Sequence, residues 1–252
     1  MAHPELMLIF FVIAFVYASV GFGGGSSYLA ILAVYGLPFL DIRFIALACN
    51  IIVVAGSIMV YHRNHQINWR KILPLAAASV PMAYLGATLK LSEDTFFILL
   101  GVTLLIASIL LWVNTKPGDE PVRMAKPVPA RDAALGGAIG LLSGMVGIGG
   151  GIFLSPLLNL SKWDTAKRIA ATASVFILVN SISGIIGQLR HPSFSLSFST
   201  IGWLSLAVFA GGQLGARTGA IKFNPLMIRR VTAVLVLVAG VEVLHKHLPW
   251  FK

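Results

Sequence analysis

The sequence predicts an all-α polytopic membrane protein made of two inverted-topology repeats, each a glycine-broken pair of short helices followed by three long transmembrane helices. Three observations predict it. Hydrophobic residues make up 57% of the 252-residue chain and charged residues only 11%, with a mean hydropathy of +0.88. A soluble domain needs about 25% charged residues to cover its surface. The apolar residues fall in continuous runs, without the alternation of an outer-membrane strand, so the spans are helices. A glycine cluster also occurs twice, as Gly21-Phe22-Gly23-Gly24-Gly25 and as Gly147-Ile148-Gly149-Gly150-Gly151, offset by 126 residues.

The elements follow in order. An apolar run at 6–20 leads to the first glycine cluster, and a short one at 28–38 leaves it. Runs at 42–61, 72–89 and 96–113 are each near the ~20 residues that span a ~30 Å hydrocarbon core. A polar stretch at 114–131 carries Pro117, Pro121, Pro127 and Pro129 and has no apolar periodicity. The order then repeats, with short runs at 133–146 and 152–160 flanking the second cluster and longer runs at 169–189, 198–216 and 226–244. The predicted division is therefore a first inverted repeat at 1–113, a cytoplasmic linker at 114–131 and a second inverted repeat at 132–252. Smaller matches keep the same order: Gly86 with Gly215 inside similar pentapeptides, and Arg43 with Arg168, each preceded by an aspartate, Asp41 and Asp164. Such coincidences in register mark an internal repeat.

Charge sets the orientation. The net charge of +10 resides in loops, as cytoplasmic loops and anionic headgroups require, so it points to a membrane surface and not to nucleic acid. Arg63, Arg70 and Lys71 form one basic group. Lys116, Arg123, Lys126 and Arg131 form a second, and Arg217, Lys222, Arg229 and Arg230 a third. The positive-inside rule places all three in the cytoplasm. If each pair of short runs dips in and returns to its own side, each half crosses three times, and an odd number inverts the second half. The prediction is a multi-pass protein of the inner (plasma) membrane with both termini outside. Residues 1–5 hold no basic segment of a cleaved leader, so the first run is read as retained. The single cysteine, Cys49, can form no internal disulfide.

Glycine weakens helices, and hydrocarbon tolerates irregular backbone only where it is buried in protein or lines a cavity. Packing glycines are spaced by three or four, whereas these are contiguous and duplicated. The breaks therefore read as a site whose helices, starting after Gly25 and Gly151, present free N–H groups and a positive dipole end to an anion. The candidate substrate-binding residues are Gly21, Gly23, Gly24, Gly25, Ser26 and Ser27 in the first copy and Gly147, Gly149, Gly150 and Gly151 in the second. Asn50, Thr172 and Ser174 share a depth four to seven residues past the helix-opening arginines, and Gln213 lies inside an apolar run; all four are candidate lining residues, since a polar group in hydrocarbon needs a partner. Arg43, Arg168 and Arg217 are candidates for anion attraction, with anchoring of helix ends as the plainer role.

Other chemistry is missing from the pattern. No GxxxxGK[ST] encodes nucleotide hydrolysis, no GxSxG or HExxH encodes a hydrolase, and no His/Cys/Asp cluster has metal spacing. The reading is of a non-enzyme with no cofactor and no metal. Its expected partners are a small anionic substrate and the lipid bilayer, with a homo-oligomer open and the coupling ion unassigned. A non-transporting membrane scaffold or assembly factor would also use small-residue packing, but leaves the duplicated break without purpose.

The residues Ser19-Val20-Gly21-Phe22-Gly23-Gly24-Gly25 and Ser143-Gly144-Met145-Val146-Gly147-Ile148-Gly149-Gly150-Gly151, with Ser155-Pro156-Leu157 after the second and Ala170-Ala171-Thr172-Ala173-Ser174 beyond, resemble the sulfite exporter TauE/SafE family of membrane permeases. The likeness runs over nearly the whole chain. It implies a secondary transporter exporting or exchanging small sulfur oxyanions such as sulfite, or organosulfonates. The first copy departs from the second in lacking a proline soon after its glycines.

Overall fold

The computed structural model describes residues 4–19, 21–113, 128–190, 198–219 and 225–247. These form ten helices and, among the described residues, no strand: α1 (Pro4–Ala18), α2 (Gly25–Val34), α3 (Phe39–Arg63), α4 (Trp69–Thr88), α5 (Glu93–Val113), α6 (Pro129–Val146), α7 (Gly151–Leu160), α8 (Ala166–Gln188), α9 (Phe198–Gly219) and α10 (Pro225–His247). Each apolar run of the sequence has become one helix. Two boundaries move. The second half starts at Pro129, inside the stretch expected to be linker, because a first-turn proline has no intrahelical hydrogen bond to lose. α8 starts at Ala166, ahead of the run at 169–189, and so carries Lys167 and Arg168 on its first turn. Of the predicted linker, residues 114–127 lie outside the described residues, and so does Lys222.

α3, α5 and α8 are long and apolar enough to cross a membrane. α2 and α7 have ten residues each, about 15 Å at 1.5 Å per residue, or half of a hydrocarbon core. Each is too short to cross that core alone. The missing proline of the first copy has no effect on length, since α7 contains Pro156 and α2 has none. α1 and α2 diverge after the break, as do α6 and α7: α2 packs on α3 and α10, and α7 on α8 and α5.

Helix packing comes in matched sets. α4 lies on α6 and α8, as α9 lies on α1 and α3, while α3 meets α8 and α5 meets α10. The α4–α6 contact is a close backbone approach, in which a Cβ on Gly136, Gly140 or Gly144 would strike Leu75, Ser79 or Ala83. Its match is α9 against α1, where Gly211 and Gly215 abut the carbonyls of Phe11 and Phe15. The correspondence reaches single atoms: Gly86 abuts the carbonyl of Leu141 and Gly215 that of Phe15, and residues 15 and 141 are separated by the same 126 positions as the glycine clusters. Without water to drive helices together, such contact and the dispersion it allows hold a bundle in lipid.

Gly144→Val should part α4 from α6 and lower the unfolding free energy by about 1–3 kcal/mol, the range for overpacked sites. Thermal unfolding of the purified variant beside Gly137→Ala checks this, because Gly137 has only ordinary contacts at 3.7 Å or more and should unfold as the parent does.

Candidate functional site

Both breaks are built by glycine at left-handed backbone. α1 closes with hydrogen bonds from Gly21 N–H to Ala18 O (3.1 Å) and from Phe22 N–H to Tyr17 O (2.9 Å), the paired pattern that a glycine just past a helix end permits. α6 closes with a single bond from Gly147 N–H to Ser143 O at 2.7 Å. Gly24 (φ 90°) and Gly150 (φ 82°) then sit at the N-caps of α2 and α7. Neither helix has a side-chain cap, so the first-turn N–H groups are left to whatever lies before them.

One side chain joins the two breaks. Asn50 of α3, 1% exposed, accepts a hydrogen bond from Gly25 N–H through Oδ1 at 2.9 Å and donates from Nδ2 to Ile148 O at 3.0 Å. Its amide occupies the space that side chains would take at Gly23, Gly25 and Gly149, since a Cβ at each would strike it. The contiguous glycines thus serve two ends, turning the backbone and making room for this amide.

A cavity of about 10 Å³ lies where the breaks face each other. Gly23, Gly24, Gly25 and Ser26 line it from one side and Ile148, Gly151 and Ile152 from the other, with Tyr17, Phe22 and Ile177 completing the wall. The N–H groups of Ser26, Gly151 and Ile152 have no hydrogen bond among the described residues. The wall holds no charged side chain. Tyr17 hydroxyl shares a 2.7 Å hydrogen bond with Ser27 Oγ and a 3.4 Å one with Ser26 Oγ. The volume suits about one water molecule.

The remaining sequence candidates fall around this centre. Ser174 Oγ donates to Gly21 O at 2.8 Å and to Ala170 O at 3.0 Å, so it props the first break from behind. Ser27 reaches the site through Tyr17. Thr172 Oγ1 donates to Arg168 O within its own helix at 2.8 Å. Gln213 packs its amide against Gly56, between α9 and α3 and outside the cavity wall. Arg217 is exposed at the end of α9. Arg168 pairs with Asp164 at 3.7 Å and keeps 40% of its side chain exposed, a helix-end anchor. Arg43 differs from the mouth position expected of it: it is 1% exposed and donates from Nη2 to Gly144 O at 2.7 Å.

Tyr17, Ile148 and Ile177 were not singled out in the sequence. For Tyr17 a signal existed, because a phenol in an apolar run must find a polar partner; the isoleucines have none. A second cluster also went unnoticed. Lys71 Nζ donates to Asp164 Oδ2 (2.8 Å) and Trp163 O (3.1 Å), and Trp163 Nε1 donates to Asp132 Oδ2 at 3.0 Å. It fastens the first turns of α4 and α6 to the turn between α7 and α8.

Apolar helices of spanning length around two half-length helices that begin at facing breaks in the interior define a membrane protein of the transporter class. The chain belongs to the sulfite exporter TauE/SafE family, whose sequence profile, "Sulfite exporter TauE/SafE", matches residues 6–243. It is 34% identical over 241 residues to a probable membrane transporter protein of Sinorhizobium fredii, covering 95% of this chain and 97% of that one. A probable membrane transporter protein of Methanocaldococcus jannaschii is 26% identical over 81% of this chain and 79% of its own. The probable membrane transporter protein MamO of Paramagnetospirillum magneticum is 23% identical over 84% of this chain, which spans 39% of that longer relative. No solved structure matches.

Asn50→Ala should strand Gly25 N–H and Ile148 O, each at a cost of about 1–3 kcal/mol, and Asn50→Asp should turn one carboxylate oxygen toward the Ile148 carbonyl with a loss at least as large. Chemical or thermal unfolding of the two variants gives the measurement; parent-like stability in both would remove Asn50 as the tie between the breaks.

Proposed function

We propose that this protein is a secondary transporter that exports a small anion, sulfite or an organosulfonate, by alternating access around the cavity between the two breaks. The observation that carries the reading is the meeting of two helix N-termini, with the N–H groups of Ser26, Gly151 and Ile152 unpartnered, around one uncharged cavity. Peptide N–H groups and dipole ends attract an anion. The residues that line the cavity carry no charge of their own. The anion would accept from these amides, with the Ser26 and Tyr17 hydroxyls as further donors.

The two halves would work as inverted repeats, 1–113 and 132–252, rocking about Asn50 and the breaks. The matched packing of α4 on α6 and α9 on α1 supports that division. Lys71, Arg131, Asp132 and Asp164 gather in one cluster of ion pairs, which supports setting the basic segments around residues 63–71, 131 and 162–168 on a common side, the cytoplasm by the positive-inside rule. Both termini would then be outside.

In proteoliposomes, replacing Gly24 or Gly150 by leucine should abolish saturable sulfite or sulfonate flux, because each needs positive φ and has neighbours about 2.8–2.9 Å from a Cβ. Unchanged flux in a folded variant would end the cavity assignment. Separately, a tag at Lys252 should react with impermeant reagents in intact cells and a cysteine at position 120 should not.

A further inference from the structure

We propose that Arg43 is a second, cationic contact for the transported anion, one step from the cavity along α3, and that it makes the site select singly charged oxyanions over doubly charged ones. The inference rests on the reading of the cavity as an anion site. A guanidinium at 1% exposure ordinarily has a carboxylate partner, since a buried unpaired charge is expensive. Arg43 has none: it forms no ion pair among the described residues, its Nε is buried with no hydrogen-bond partner, and its contacts are one bond to Gly144 O and the face of Phe96 at 5.9 Å.

The sequence explains why the two matching arginines part ways. Asp164 lies in the turn just before α8, four residues ahead of Arg168, and the two pair at 3.7 Å. Asp41 precedes Arg43 by two, which puts them on different faces. Arg43 is thus left charged in the interior where its counterpart is neutralised. A need to satisfy Gly144 O does not account for that charge. A neutral hydroxyl does the equivalent work at the other break, where Ser174 Oγ donates to Gly21 O. The negative end of α6 offsets only about half a unit charge.

Position links the charge to the site. The Cβ and Cγ of Arg43 lie 3.2 Å from where a side chain on Gly147 would start, and the next residue, Ile148, lines the cavity. Arg43 and Asn50 are seven residues apart on α3, hence on one face and about 10 Å apart along the axis. One face of α3 therefore carries a guanidinium and an amide along the second break. An oxyanion that enters as the breaks separate meets the free donors of Arg43. One negative charge then leaves the buried pair neutral, while two leave it negative.

The test is anion binding to the purified protein by calorimetry, with methanesulfonate as the monoanion and sulfate as the dianion, on the parent, Arg43→Gln, Arg43→Lys and Gly151→Leu. Methanesulfonate should bind the parent at least about tenfold more tightly than sulfate. Arg43→Gln should lose about thirtyfold or more in methanesulfonate affinity, as removal of one member of a buried charge pair does, and Arg43→Lys should lose less. Parent-like affinity in Arg43→Gln, with binding abolished in Gly151→Leu, overturns the role of Arg43 and leaves the cavity standing. Equal parent affinity for the two anions overturns the charge selection without any variant. A parent that binds neither anion overturns the cavity reading, and Arg43 falls with it.

Discussion

A peptide group inside hydrocarbon has no water to bond with, and leaving one unsatisfied costs several kcal/mol. Two helix breaks in the interior of this bundle create many such groups at once. The amide of Asn50 answers part of the demand, taking the Gly25 N–H with its oxygen and the Ile148 carbonyl with its nitrogen. Because those two groups belong to different halves of the chain, one side chain both solvates the breaks and sets their separation. The glycines at 23, 25 and 149 follow from it, as the amide fills the volume their side chains would need.

Asn50 satisfies only part of the two breaks. Gly25 N–H is occupied, while the N–H groups of Ser26, Gly151 and Ile152 have no hydrogen bond among the described residues, and all three residues line a volume of about one water. The halves differ in how they prop their breaks, a serine hydroxyl on Gly21 O against a guanidinium on Gly144 O. Two sequence-related halves thus present chemically different surroundings to one cavity.

The proposed transport would have to leave the close backbone contacts intact or exchange them as units. The α4–α6 and α1–α9 pairs have glycine against carbonyl and little freedom to slide, so each is a rigid body. Such bodies move at their junctions, and α2 and α7, held mainly against α3, α10, α8 and α5, are the elements that a rearrangement around Asn50 would displace. The Lys71–Asp164 and Trp163–Asp132 contacts join the turn after α7 to α4 and α6 at a single end.

The sequence by itself determined the membrane class, the order of the helices and the two breaks, because these depend on hydropathy over a span's length and on glycine, which act locally. It also placed Asn50 among the site candidates, since an amide in an apolar run must be paired. Only the tertiary structure decided which groups are the partners. Nothing local says that Asn50 reaches residues 25 and 148, that Tyr17 shares its hydroxyl with Ser27, or that Gln213 turns to Gly56 and away from the cavity. Arg43 shows the difference most plainly. Its place at the start of a span reads as an interfacial anchor, but the fold buries it to 1% exposure with Nη2 on Gly144 O. Burial of a charge is set by what folds over it, and that depends on residues a hundred positions away.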